Sequence, residues 1–131
     1  MQAILTSIYT LYNNDATLKA AITGGLYLEM APQGVTLPYA TYNMISGRPD
    51  YMLAGRRFEV LRMQFDIYAD TNIKRLTAYE ALRTLYDDSR PSTTGYDAII
   101  MERISQQMLK DGDQNQIFRA IVEYDCRFLK K

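Results

Sequence analysis

Histidine is absent from the chain of 131 residues, and cysteine occurs once, as Cys126. Without histidine the commonest general base and the commonest zinc ligand are missing. A single cysteine forms no intrachain disulfide, so nothing points to an oxidising compartment. No basic excess exists either: Lys and Arg number 15, and Asp and Glu number 15. Phosphate neutralisation supplies much of the affinity of nucleic-acid binders, so a balanced chain argues against that class. The opening Met1-Gln2-Ala3-Ile4-Leu5-Thr6-Ser7 lacks a basic region and a long apolar stretch, so it does not read as a signal peptide. No apolar run approaches the roughly 20 residues of a membrane helix. Together these absences lead us to expect a chain that folds in the cytosol, is not an enzyme, and carries no cofactor or metal.

What is present reads as an ordinary globular domain. Hydrophobic residues make up 47% and charged residues 23%, which weighs against disorder. The length fits one domain over residues 1–131. Ile4, Ile8, Leu11 and Tyr12 recur at helical spacing over residues 1–13. Asp15 is placed to cap a second short helix carrying Leu18, Ala21 and Ile22, which Gly24-Gly25 ends. Leu26 to Met30 reads as a short strand, Ala31-Pro32-Gln33-Gly34 as a turn, and Tyr39 to Ile45 as a strand. Ser46 to Gly55 contains two glycines and a proline and reads as a long loop.

Phe58 to Tyr68 alternates as a strand, with Leu61, Met63, Phe65 and Ile67 on one face. Phe58 and Val60 fall out of phase, which predicts a bulge near Val60 and Leu61. A helix is expected from Asn72 to Asp87, capped by Asp70 or Thr71. It carries a core stripe of Ala78, Ala81, Leu82 and Leu85 flanked by Tyr79 and Tyr86. Ile73 and Leu76 point away from that stripe. Ala98 to Met108 and Ile117 to Phe128 read as an antiparallel hairpin around Asp111-Gly112-Asp113. The expected fold is α+β, in the order α-α-β-β-β-α-β-β: an antiparallel β-sheet with helices packed on one face.

Sites of chemistry are scarce. Asp111-Gly112-Asp113-Gln114-Asn115 begins like a calcium loop. Gln116 stands where that loop needs glycine and Val122 where it needs glutamate, so a turn is the better reading. Asp87-Asp88 sits at a helix C-terminus and reads as solvated. Cys126 falls on an apolar strand face, with no histidine to activate it. Gly24-Gly25 lacks the Lys-Ser/Thr of a phosphate loop. Tyr42, Tyr68 and Arg62 on one sheet would be the raw material of a base-stacking platform. The eleven tyrosines exceed what a core needs and favour protein contacts. The candidate contact residues are Arg48, Tyr51, Met52, Leu53, Arg56 and Arg57 on the 46–57 segment, and Ile73 with Leu76 on the helix. Tyr, Met and Arg are enriched at interfaces.

The run from Gly25 to Tyr42, Gly-Leu-Tyr-Leu-Glu-Met-Ala-Pro-Gln-Gly-Val-Thr-Leu-Pro-Tyr-Ala-Thr-Tyr, resembles the tail-completion or tail-terminator proteins of long-tailed bacteriophages. Leu61 to Ala69 with the following helix is similar to that family's middle section, and Ile117 to Phe128 to its closing strand. The resemblance spans nearly the whole chain. It implies a non-catalytic virion protein, assembled in the host cytoplasm, that forms a homo-oligomeric ring, usually a hexamer. Such a ring caps the tail tube, ends its polymerisation and joins the head-side connector, while genomic DNA passes through the lumen. The implied partners are further copies of the chain, the tail tube protein and the neck protein, with no membrane. A head–tail connector is the alternative within this class, and a non-catalytic nucleic-acid-binding α+β domain the alternative outside it.

Overall fold

The chain begins with two helices, α1 (Gln2–Asn13) and α2 (Ala16–Ala21). The computed structural model describes residues 2–51, 57–111 and 117–130. In α1, Ile4, Ile8 and Tyr12 repeat every four residues and are buried with Ser7. Asp15 caps α2, the Leu18 N–H donating to its carboxylate over 3.0 Å. A short strand β1 (Leu26–Leu28), the long strands β2 (Tyr39–Tyr51) and β3 (Arg57–Ala69), helix α3 (Asn72–Tyr86), and strands β4 (Tyr96–Asp111) and β5 (Ile117–Lys130) complete the order read from the sequence. Thr71, not Asp70, caps α3 by accepting from the Lys74 N–H, while Asp70 pairs with the Lys74 ammonium.

The strands form one sheet in the order β1-β2-β3-β5-β4. β2 to β5 are antiparallel throughout, and β1 joins β2 in parallel. Gly24 is needed beside this edge, because a side chain there would collide with the Thr36 carbonyl.

Alternation along β3 and β5 divides the sheet into two faces. Leu61, Met63, Phe65 and Ile67 lie opposite Cys126, Tyr124, Val122 and Ala120, and all eight are buried. α3 covers them with Ala78, Tyr79, Ala81, Leu82 and Tyr86, and α1 and α2 add Ile4, Ile8 and Leu18. The Tyr86 hydroxyl ties the layers by donating to the Ile8 carbonyl over 2.7 Å. Leu85 is only half-buried at the edge of this core, whereas its stripe-mates Ala78 and Leu82 are sealed.

Three expectations need correction. The segment read as a loop from Ser46 to Gly55 is mostly strand. β2 runs to Tyr51 and pairs with β3 as far as Tyr51↔Arg57, making a long arm in which β3 is also paired with β5 as far as Phe58↔Leu129. Pro49 is tolerated because β2 lies at the sheet's edge there. Gly47 has a packing reason, since a Cβ would come within 2.9 Å of the Leu61 side chain. The bulge expected near Val60 is also absent from β3, which pairs with β5 without interruption. The bulge sits on the facing strand instead, between Met44 and Ser46, so Phe58 and Val60 stay in phase with Arg62 on the opposite face. Asp87 is not simply solvated: it accepts the Tyr124 hydroxyl over 2.7 Å and pairs with Arg103 at 3.3 Å.

Candidate interaction surfaces

The face of the sheet away from the helices is polar, and three of its arginines are each matched by a carboxylate. Arg62 meets Asp125, Arg119 meets Asp66, and Arg127 meets Glu102, each at 3.3 Å. All three pairs cross from one strand to the next. Asp66 and Asp125 are 7% and 8% exposed, which is affordable because each faces an arginine and the Gln64 amide also donates to Asp66. The Arg119 guanidinium lies 5.4 Å over the Tyr68 ring, and Tyr68 stacks on Tyr39 at 4.9 Å. The platform drawn from Tyr42, Tyr68 and Arg62 is not assembled. Tyr42 is buried on the helix-covered face, stacked on Phe65, while Tyr68 and Arg62 belong to the other face.

The sequence-derived contact residues separate into two groups. Tyr51 and Arg57 end the paired part of the arm, and Arg48 is exposed on β2. Met52, Leu53 and Arg56 lie outside the described residues. Ile73 is 77% and Leu76 42% exposed on α3. Leu76 borders an apolar groove of about 860 Å³ between α2 and α3, with Ala21, Ala81 and Leu85. β3 starts at Arg57 and α3 follows its other end. At roughly 3.3 Å per residue, about 40 Å of strand therefore separates the arm's end from Ile73. The two groups are distinct patches.

The exposed side of the closing hairpin, also a candidate contact surface from the sequence, carries part of a further exposed apolar set. Ile45 on β2 is 46% exposed, and Ile104, Met108 and Leu109 on β4 are 37–39% exposed. On β4 the imperfect alternation of Ala98 to Met108 was the sole hint, and no local pattern marked Ile45.

Chemistry has little to work with. Burial pushes the Cys126 thiol up to about 12, and its sulfur is enclosed in the core. Burial also raises the Tyr86 and Tyr124 hydroxyls, Tyr124 further through its bond to Asp87. Among the described residues no three of His, Cys, Asp and Glu gather to hold a metal. Nor, among them, is any helix long and apolar enough to cross a membrane.

The family described as Tail completion protein gp17 has a sequence model that matches residues 6–129. Among solved structures, a chain of the "Virion of native gene transfer agent (GTA) particle" has a TM-score of 0.75 at 13% identity. That likeness covers 98% of this chain and 96% of the other, and it shows a common fold. No curated protein matches the sequence.

Proposed function

The chain belongs to the tail completion protein gp17 family, a structural component of phage virions, and from that premise we propose that it forms a closed ring, usually of six copies. The ring caps the tail tube, ends its polymerisation and joins it to the head-side connector. Genomic DNA passes through the ring without being held.

The observation that carries this reading is the helix-free sheet face. A wall along which DNA slides must not present a row of free cations, because each phosphate contact adds salt-dependent affinity. On this face Arg62, Arg119 and Arg127 are each matched by a carboxylate on the next strand. The net charge of zero for the whole chain agrees with it. The helices stay on the other face, with Ile73 and Leu76 exposed there for protein neighbours. A closed ring requires two different surfaces that meet head to tail, and the arm and α3 lie far enough apart to serve as such.

The test is to add the purified chain to polymerising tail tube protein. Arrested tubes with a cap at one end are the expected result. Unchecked growth with no cap would contradict the tail-capping role.

A further inference from the structure

We propose that copies of this chain join edge to edge. In this arrangement the open stretch of β2 in one copy hydrogen-bonds antiparallel to the open stretch of β4 in the next. The inference rests on the ring reading above and names the surface that closes the ring.

Both outer strands are closed for part of their length and open for the rest. On β2, the closing partner is β1. The Ala40 N–H donates to the Gly25 carbonyl over 3.0 Å, and the Tyr42 carbonyl accepts from the Glu29 N–H over 2.9 Å. From Asn43 to Gly47 no described backbone segment pairs with the outer side. On β4, the closing partner is the turn after α3. The Met101 N–H donates to the Ser89 carbonyl, and the Met101 carbonyl accepts from the Asp88 N–H, both over 2.9 Å. From Ile104 to Leu109 no described backbone segment pairs with the outer side. The Arg75 side chain reaches one carbonyl there, that of Leu109.

An edge strand is a template for another strand, and proteins that avoid such pairing place charges along it. The outer side of β2 continues past Gly47 through Arg48, Pro49 and Asp50, which guard that end of the edge. Between the closed part and those residues the strand is uncharged, as is β4 from Ile104 to Leu109. Asn43-Met44-Ile45-Ser46-Gly47 and Ile104-Ser105-Gln106-Gln107-Met108-Leu109 are neutral, in a chain with 23% charged residues. Both stretches are exposed, apart from Asn43, which is half-buried. Met44, Ile45, Ile104, Met108 and Leu109 hold apolar surface in water at 37–46% exposure. Each stretch also contains a bulge, at Ile45 and at Ile104, a device that re-aims a side chain.

Direction and register fit a second copy. β2, β3, β5 and β4 alternate in direction across the sheet. A head-to-tail neighbour therefore brings β4 to β2 antiparallel, with the helices of both copies on the same face. The open stretches are not level. Asn43 to Gly47 lie across the sheet from Met101 to Ser105. Pairing them with Ile104 to Leu109 of a neighbour staggers the sheets by a few residues, and such a stagger is what closure of a sheet into a barrel needs. The charge-matched face then runs unbroken around the assembly.

Paired cysteines test this directly. Ser46→Cys is combined in turn with Ser105→Cys, Gln106→Cys, Gln107→Cys and Met108→Cys, and assembled protein is oxidised. One register brings Cα atoms within the 4.4–6.8 Å that a disulfide spans. That double variant alone should give a ladder of covalent oligomers ending at the closed ring, while each single variant stops at a dimer or monomer. A second variant, S46K with Q106K, should keep the native melting temperature and lose the ring. Rings that form normally in S46K/Q106K, with no crosslink in any register, would overturn edge pairing and leave the ring reading standing. Absence of rings from the native chain, alone and on tail tubes, would contradict the ring reading and edge pairing with it.

Discussion

Cys126 keeps its proton because the core offers nothing to stabilise a thiolate. Its folded value of about 12 stands above its ordinary value of 9.0. The folded chain therefore holds a proton that the unfolded chain releases, so this contribution to stability is intact below pH 9.0 and is lost as pH rises toward about 12. Thiol reagents at pH 8 should leave the native protein unlabelled and modify it fully after denaturation. Rapid labelling of the native state would show that the strand face is open. Leu82 is fully buried beneath α3. Leu82→Ala should destabilise the fold by about 2–5 kcal/mol, read from the denaturation midpoint. Ile73→Ser, at an exposed position, should change stability by no more than about 0.5 kcal/mol. An equal loss at both positions would contradict the burial described here.

At the scale of elements, local chemistry and pairing share control. The α2 cap was readable, because Asp15 precedes an apolar period and bonds the Leu18 N–H. Asp15→Ala should cost about 0.5–2 kcal/mol, measured by chemical denaturation, and an unchanged midpoint would show that α2 is held by packing alone. β3 and β5 were readable because one of their faces is sealed, and a sealed face enforces alternation. The arm was not readable. Gly47 and Pro49 carry turn signals, yet Gly47 sits against Leu61 and Pro49 lies on an edge. Pairing with β3 decides their conformation, as tertiary context commonly overrides strand propensity. The bulge was assigned to the wrong strand for a related reason. Val60 looked out of phase because it is apolar, but it is a buried residue on the polar face. The division of Tyr42 and Tyr68 between opposite faces needed the register of β2 against β3, which no local pattern supplies.

For the whole molecule, the decisive property is a sheet with helices on one side and paired charges on the other. Glu102 is the most exposed of the three carboxylates that neutralise the bare face. Glu102→Gln removes the carboxylate charge that the Arg127 guanidinium meets across β4 and β5, without opening the core. This variant should gain weak, salt-dependent affinity for double-stranded DNA that the native chain lacks, measured at low and moderate salt. Equal affinity in both proteins would remove charge matching from the account. The most direct measurement of the central claim is negative-stain imaging of particles produced without this chain. The account predicts overlong tails that carry no heads. Tails of normal length joined to heads would contradict it.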